Sequence, residues 1–394
     1  MVRHLILVFL FLLSSTLANA DGLAKEQSQD DTTTTVSISE NALTRCDELA
    51  QIAIKQQDFT EALSYLACAI KIDSTVVANY LARAFVKSQL LDYQGAISDY
   101  DRLLGMSLTW SEAYETYFNR ALAYSALSEF KSALTDFDKA IYLNAGYADA
   151  FYNRSIVKWK CGDYMGELAD LNKVVQLKPK DSNAYNSRGI ARSMMGDFSL
   201  AMNDFNKSIE LQKDNAWAFY NRALIFEQQG DQLHALRDYS AAIAVKPDVQ
   251  LYNQRAKVRE KLGDYRGAVD DYNTAEDLDS TFAQTFYNRA RLKFELMDYP
   301  SSIVDYSACI KYKPDYASAY YHRALAREKT GDREGVIEDY SHAIEFSNKD
   351  ASSFNGRGIA RLESGDAEGG CKDLARSAEL GSTEGYANYQ AHCK

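Results

Sequence analysis

The chain has 394 residues, a formal net charge of −11 at pH 7 and 46% hydrophobic residues, a length that would suit several ordinary domains. The acidic balance argues against a sequence-independent grip on nucleic acid, because such a grip needs a basic surface. Beyond residue 20, no stretch is apolar enough to predict a transmembrane helix.

The N-terminus has the pattern of a cleaved signal peptide, which we assign to residues 1–20. Arg3 gives a basic start, Leu5 to Leu13 form an apolar run, and residues 18–20 are the small residues that a signal peptidase accepts. The run is too short for a permanent membrane anchor. The alternative interpretation is that these residues begin the first helix. Residues 21–42 are polar and lack an apolar period, which predicts a flexible leader.

From residue 43 onward, a block of about 34 residues recurs ten times. Its clearest mark is a Gly-Asp pair, found at Gly162-Asp163, Gly196-Asp197, Gly230-Asp231, Gly263-Asp264, Gly331-Asp332 and Gly365-Asp366. Self-similarity at this period indicates a solenoid of stacked repeats. The units run approximately over 43–76, 77–110, 114–147, 148–181, 182–215, 216–248, 249–282, 283–316, 317–350 and 351–384, and residues 385–394 are predicted to end a capping helix.

The pattern predicts two helices in each unit, and the Gly-Asp pair ends the first of them. The first helix begins near an aromatic residue such as Phe151, and a small residue such as Ala223 lets the paired helix come close. The second helix carries its own small residue and then a bulky one, as in Ala235 and Tyr239. Proline ends several copies, as at Pro247, where a new helix must not continue the old one. No segment alternates with period two, so we expect no strands.

This order of aromatic, small residue, Gly-Asp, alanine, aromatic and proline resembles the tetratricopeptide-repeat family. The resemblance covers residues 43–384. It implies an all-α, right-handed α-solenoid of about ten helix–turn–helix repeats, closed by a C-terminal capping helix. It also implies that the first helices line a concave face, which holds other proteins rather than a substrate.

An arginine recurs seven residues into each unit after the first, and an aspartate follows it sixteen residues later. Arg222 with Asp238 and Arg289 with Asp305 are examples. In an antiparallel helix pair these two heights face one another, and a guanidinium can bind a carboxylate with two hydrogen bonds. We interpret the pairs as structural ion pairs that fix helix register. The alternative is a basic ladder for acidic ligands.

One residue before several of these arginines stands an asparagine, and aromatic residues lie beside it. We predict a peptide-binding groove formed by Asn119, Asn153, Asn221, Asn288, Tyr152, Tyr220, Tyr287, Tyr321 and Trp217. An asparagine side chain both donates and accepts, so a row of them suits an extended peptide backbone, and the rings suit its apolar side chains. The alternative is that these residues are consensus architecture.

Because an exported protein meets an oxidising compartment, its cysteines are candidates for disulfides. The chain has six of them, which are Cys46, Cys68, Cys161, Cys309, Cys371 and Cys393. Cys371 and Cys393 flank the last helical segment, and we predict a disulfide between them. Cys46 and Cys68 lie on the two helices of the first repeat, and their pairing stays open. Cys161 and Cys309 lie in distant repeats, and we interpret both as buried small apolar residues.

Catalytic motifs are lacking. The five histidines are scattered without the spacing of a zinc site, and no glycine-rich phosphate loop occurs, so we predict no cofactor, no metal site and no enzymatic activity. The sequence predicts a non-catalytic scaffold of the periplasm or cell envelope. It would bind an extended segment or a helix of partner proteins, without nucleic acid and without a stable membrane anchor. Two alternatives remain: an adaptor or co-chaperone in a eukaryotic secretory compartment, and a hydrolase with an unrecognised site in the groove.

Overall fold

The computed structural model describes residues 31–394, with side chains from residue 40 onward. The predicted signal peptide and the first part of the predicted leader therefore lie outside the described residues. Every regular secondary-structure element within residues 31–394 is an α-helix, and no strand occurs there. The all-α prediction is confirmed.

The described chain forms 21 helices joined by short turns. In chain order they are α1 (Asp31–Lys55), α2 (Phe59–Ile72), α3 (Val77–Gln89), α4 (Tyr93–Leu104), α5 (Trp110–Ala126), α6 (Phe130–Leu143), α7 (Ala148–Lys160), α8 (Tyr164–Leu177), α9 (Ser182–Met194), α10 (Phe198–Leu211), α11 (Ala216–Gln228), α12 (Gln232–Val245), α13 (Val249–Lys261), α14 (Tyr265–Leu278), α15 (Ala283–Glu295), α16 (Tyr299–Tyr312), α17 (Ala317–Thr330), α18 (Arg333–Phe346), α19 (Ala351–Glu363), α20 (Ala367–Glu379) and α21 (Thr383–Cys393). The odd-numbered helices up to α19 are the first helices of the predicted repeats, and the even-numbered helices are the second helices.

The described chain divides into two compact units, an N-terminal unit that ends at Ala191 and a C-terminal unit of residues 192–394. Within each unit a helix packs mainly against the helices that precede and follow it in sequence. In the N-terminal unit α5 pairs with α6, for example, and in the C-terminal unit α15 pairs with α16. Contacts limited to neighbours are what defines stacked repeats, so each unit is an α-solenoid.

The first helix is longer than the sequence predicts. Helix α1 begins at Asp31, so residues 31–42 are helical where we predicted a flexible leader. No glycine or proline lies between Asp31 and Lys55 to end a helix. Extending an existing helix costs far less than nucleating one, which allows polar residues to continue it without an apolar face.

The turn inside each repeat has the same backbone whether or not glycine is present. Gly263 has a φ of 79°, and Met297 at the equivalent position has 64°. A positive φ strains any residue with a Cβ, so glycine is the usual choice. Gln57 and Leu91 take this conformation in the first two repeats, which explains why the Gly-Asp signal is missing there.

A tyrosine in the second helix fills the core of several repeats in the C-terminal unit, and its hydroxyl needs a partner. Tyr239 donates to Glu227 at 2.6 Å, and the equivalent tyrosines Tyr272 and Tyr340 also donate to a first-helix glutamate. Tyr306 is the exception within the described residues, because Phe294 stands where the glutamate would be. Its hydroxyl is buried without a hydrogen-bond partner.

Removing these two hydroxyls should therefore have different effects. Tyr239→Phe deprives Glu227 of a donor and should lower the free energy of unfolding by about 1–2 kcal/mol. Tyr306→Phe removes a hydroxyl that has no partner, so it should leave stability unchanged or raise it. Urea denaturation of the full chain measures both. Equal losses in the two variants would show that Tyr306 has an acceptor after all.

Candidate functional site

The structure places the two residues of the predicted arginine–aspartate pairs together. Nε and Nη2 of Arg222 donate to the two carboxylate oxygens of Asp238, both at 2.7 Å, and Arg289 binds Asp305 in the same way at 2.8 Å. The aspartates are buried. Further bonded pairs include Arg83–Asp99, Arg120–Asp136, Arg154–Asp170, Arg255–Asp271, Arg323–Asp339 and Arg357–Asp373.

Except in Arg83, the third guanidinium nitrogen of these arginines reaches the preceding repeat, a contact that our sequence analysis missed. Nη1 of Arg323 donates to Ser307 at 2.8 Å, and Nη1 of Arg289 donates to Asn273 at 2.7 Å. The acceptor stands two residues after the aspartate of the preceding repeat, and it is Asp101, Asp138, Asn172, Asn206, Ser240, Asn273, Ser307 or Ser341. Its signal in the sequence is a short polar residue at each of these positions.

Most of the buried aspartates form an ion pair with a second cation. Four residues after the arginine stands a lysine or another arginine, and Lys293 lies 2.8 Å from Asp305 in this way. Where an aromatic residue takes this place, the guanidinium lies over its ring, as Arg222 does over Phe226 at 6.0 Å. The carboxylate charge is therefore compensated inside the repeat.

We call the repeated arginine–aspartate pairs the ladder, and their arginines the ladder arginines. The electrostatics favour a structural role for the ladder. Burial by itself would lower the pKa of Arg289, but its bonds to Asp305 and Glu276 outweigh burial and raise the pKa. The guanidinium thus stays charged, with its nitrogens bonded within the protein. Among the described residues, every nitrogen of the Arg289 guanidinium therefore has an acceptor within the protein.

Breaking one such pair should be costly. Arg289→Leu leaves the carboxylate of Asp305 buried with only Lys293 beside it, and should lower the free energy of unfolding by about 3–5 kcal/mol. Arg266→Leu, at an exposed position of α14, is the matched control and should change stability by less than about 0.5 kcal/mol. Urea denaturation again provides the measurement. If Arg289→Leu unfolds like the control, the ladder does not hold the helices together.

The predicted groove amides do not form one uniform row. Asn119 is half-buried and makes no hydrogen bond to any residue in the described part of the chain. Asn153 donates to the backbone oxygen of Asp149 in its own helix at 2.8 Å, which leaves its oxygen available. Asn221 is also half-buried.

Asn288 departs from the prediction. It is only 3% exposed, donates to Asn253 at 3.2 Å and accepts from Gln284 at 2.7 Å. Asn253 is buried as well and donates to Thr285 at 2.7 Å. The reason is that Asn253 replaces the usual aromatic residue, so amides of two successive repeats meet and bind one another. The sequence does contain a sign of this contact, because two amide residues, Asn253 and Gln284, stand in successive repeats.

The predicted groove tyrosines pack mainly against their own repeats. The rings of Tyr220, Tyr287 and Tyr321 lie 6.1, 5.9 and 5.8 Å from the core tyrosine that follows the aspartate. Tyr152 is half-buried, and its hydroxyl lies 3.5 Å from the Ser187 hydroxyl in the next repeat. These contacts favour consensus architecture for the tyrosines. Trp217 differs, because 60% of it is exposed.

The side chains two and five residues after the ladder arginine share one face of each first helix. We call this row the first-helix face. In the N-terminal unit it is mostly apolar and consists of Phe85, Ser88, Leu122, Ser125, Ile156, Trp159 and Ile190. In the C-terminal unit it contains several charges and consists of Ser193, Leu224, Glu227, Lys257, Glu260, Arg291, Phe294, Leu325, Glu328, Ile359 and Leu362. The two units therefore offer chemically different surfaces.

Four of the cysteines lie in two pairs, and the other two stand alone. The structure pairs Cys371 with Cys393 and Cys46 with Cys68, with Cα–Cα distances of 5.6 and 6.3 Å. Cys309 is buried, as interpreted from the sequence, but Cys161 is exposed, so its assignment as a core residue was wrong. Cys161 directly follows the end of α7, where the chain turns towards solvent.

Among the described residues, no group of three or more His, Cys, Asp or Glu side chains is arranged to hold a metal ion. No helix in residues 31–394 combines the length and apolar character needed to span a bilayer.

Comparison with known proteins gave the following matches. The tetratricopeptide-repeat family model matches residues 114–147 and 249–282, and a second model, described as TPR repeat, matches residues 194–230. No curated protein matches the chain. The C-terminal part of a TPR repeat-containing protein from Cytophaga hutchinsonii has a TM-score of 0.51 at 15% identity, covering 61% of this chain and 97% of its own.

Two further solved structures are similar over part of the chain. A tetratricopeptide repeat protein from Parabacteroides merdae is 20% identical with a TM-score of 0.49, covering 64% of this chain and 99% of its own. YrrB, described as a TPR protein with an unusual peptide-binding site, is 25% identical with a TM-score of 0.40, covering 47% of this chain and 94% of its own.

Proposed function

Because the chain is a tetratricopeptide-repeat protein with multiple repeats, we propose that it is a non-catalytic scaffold that binds partner polypeptides on the first-helix face. The observation that carries this proposal is the apolar part of that face in the N-terminal unit. Trp159 is 44% exposed and Ile190 is 37% exposed, and half-buried Leu122 and Ile156 extend the same row. A row of apolar side chains with an exposed tryptophan is the composition of a binding hot spot.

The polar groups beside this row suit an extended segment. Asn119 has both amide groups free within the described structure, and Asn153 has a free oxygen. They lie one residue from Phe118 and Tyr152, next to the apolar row. A peptide backbone lying along the row would find donors and acceptors there while its apolar side chains cover Trp159.

We also propose that the protein is exported, with the bacterial periplasm as the setting and a eukaryotic secretory compartment as the alternative. The signal-like pattern of residues 1–20 supports export. Four of the six cysteines lie in two pairs with Cα–Cα distances suited to disulfides, which an oxidising compartment would form.

Site-specific crosslinking tests the binding face. A photoreactive amino acid at position 190, on the first-helix face, should capture a discrete partner from an extract of the native compartment. The same group at Tyr142, 85% exposed on second helix α6, is the control and should not capture it. Capture at position 142 but not at 190 would place the binding surface on the second helices.

Once captured, the partner allows a quantitative test. Trp159→Ala should weaken its affinity by about 2 kcal/mol, since buried tryptophans dominate such interfaces. Tyr142→Ala should leave the affinity unchanged. Calorimetric titration against both variants, with thermal melting alongside, separates binding from folding. Unchanged affinity for Trp159→Ala would contradict the proposal.

The cysteines should differ in reactivity. In protein isolated from its native compartment, mass mapping should find Cys371 joined to Cys393, a link that should add about 3 kcal/mol to stability. Cys161 should react with iodoacetamide in the folded protein. Cys309 should react only after unfolding, because burial raises the pKa of its thiol to about 12. Finding Cys371 and Cys393 both free would contradict export to an oxidising compartment.

A further inference from the structure

A charged motif repeats along the first-helix face of the C-terminal unit. Five residues after the ladder arginine stands Glu227, Glu260 or Glu328, and each accepts a hydrogen bond from the core tyrosine of its own repeat. The hydroxyl holds one carboxylate oxygen in place. The rest of the carboxylate remains to be neutralised by a cation.

In two of the three cases the next repeat supplies that cation. Nζ of Lys261 lies 2.9 Å from Glu227, and Nη2 of Arg291 lies 2.5 Å from Glu260. These contacts cross from one first helix to the next. They show which positions of a following repeat can reach the glutamate.

Glu328 has no such cation. The positions of the next repeat that correspond to Arg291 and Lys261 are occupied by Ile359 and Glu363. Glu328 is exposed and forms no ion pair within the described part of the chain. Although the residue as a whole is exposed, partial desolvation of its carboxyl group is the main cause that raises its pKa, and the charge of Glu363 adds to it, while the bond from Tyr340 and the charge of Lys329 act in the opposite direction.

Lys257 is the complementary case. It is half-buried on the same face, and its ammonium makes no ion pair or hydrogen bond among the described residues. Glu227 and Glu260 attract it but are bonded to Lys261 and Arg291. Burial lowers the pKa of Lys257. Among the described residues, this face thus carries one cation, Lys257, and one anion, Glu328, that form no ion pair.

We propose that the first-helix face of the C-terminal unit binds a polypeptide segment that places a basic side chain on Glu328 and an acidic group on Lys257. This inference rests on the proposed function. The internal repeats show the geometry directly, because a lysine or arginine already fills the site at Glu227 and Glu260. A partner side chain would fill the one site where Ile359 and Glu363 leave it empty.

The spacing of the two charges sets the length of the segment. Lys257 lies on α13 and Glu328 on α17, two repeats further along. Packed helices lie about 8–10 Å apart, so the two groups are separated by about 20 Å. An extended chain covers this distance in about six residues.

The test uses fluorescein-labelled peptide pools and the full chain. In the first pool a glutamate and an arginine are fixed about six residues apart, in both orders, and all other positions are uncharged. A second pool has glutamine in place of the arginine, and a third has glutamine in place of the glutamate. Fluorescence polarisation should show the first pool binding about fivefold more tightly than either other pool, with the preference weakening at high salt.

Two variants assign the preferences to residues. Glu328→Gln keeps an acceptor for Tyr340, and should remove the preference for arginine while keeping the preference for glutamate. Lys257→Gln should have the opposite effect. Glu338→Gln on α18 and Lys349→Gln in the following turn make the same charge changes elsewhere and should alter neither preference. Thermal melting of each variant verifies folding.

The outcomes separate this inference from the proposed function. If Glu328→Gln still prefers the arginine pool, the assignment of the basic side chain is wrong, while the binding itself stands. If all pools bind equally, the face does not recognise charge and the inference is overturned. If no pool binds the full chain while the position 190 crosslink succeeds, the inference again fails but the proposed function holds.

Discussion

The guanidinium of the ladder arginine is the contact on which the helix arrangement within each unit depends. In Arg323, Nε and Nη2 hold the carboxylate of Asp339 in the second helix of the same repeat, and Nη1 reaches Ser307 in the preceding one. A planar fork with fixed directions can serve three acceptors in this way, whereas the point charge of a lysine cannot. One side chain therefore sets the register within a repeat and links it to its neighbour.

Because a repeat contacts mainly the repeats next to it, each repeat can depart from the pattern without disturbing the rest of its unit. Arg83 lacks the third contact, since Ala67 stands where later repeats have a polar acceptor. Met297 takes the left-handed turn usually given to glycine. Tyr306 keeps a buried hydroxyl that has no hydrogen-bond partner in the described part of the chain. The free-energy cost of each departure is small compared with the packing energy of a whole unit. The surface of the chain can therefore vary while the arrangement of its helices, which we call the frame, stays constant.

The frame could be predicted from the sequence because its signals recur in phase. The helix pairs and the arginine–aspartate pairs each depend on one residue type at one height, so every copy strengthened the same conclusion. The third guanidinium contact escaped detection because its acceptor varies among aspartate, asparagine and serine. The site was harder to predict than the frame, since exposure depends on the neighbouring repeat. Asn288 became buried only because Asn253 stands one repeat earlier.

The ladder builds the frame of each unit, whereas we propose that the first-helix face forms the binding surface. Hydroxyl-radical footprinting of the full chain, with and without the partner that crosslinks at position 190, tests this separation most directly. Oxidation of Trp159, 44% exposed on the first-helix face, should fall when the partner is bound, while oxidation of Tyr142, 85% exposed on a second helix, should stay the same. Protection of Tyr142 with unchanged oxidation of Trp159 would contradict the account.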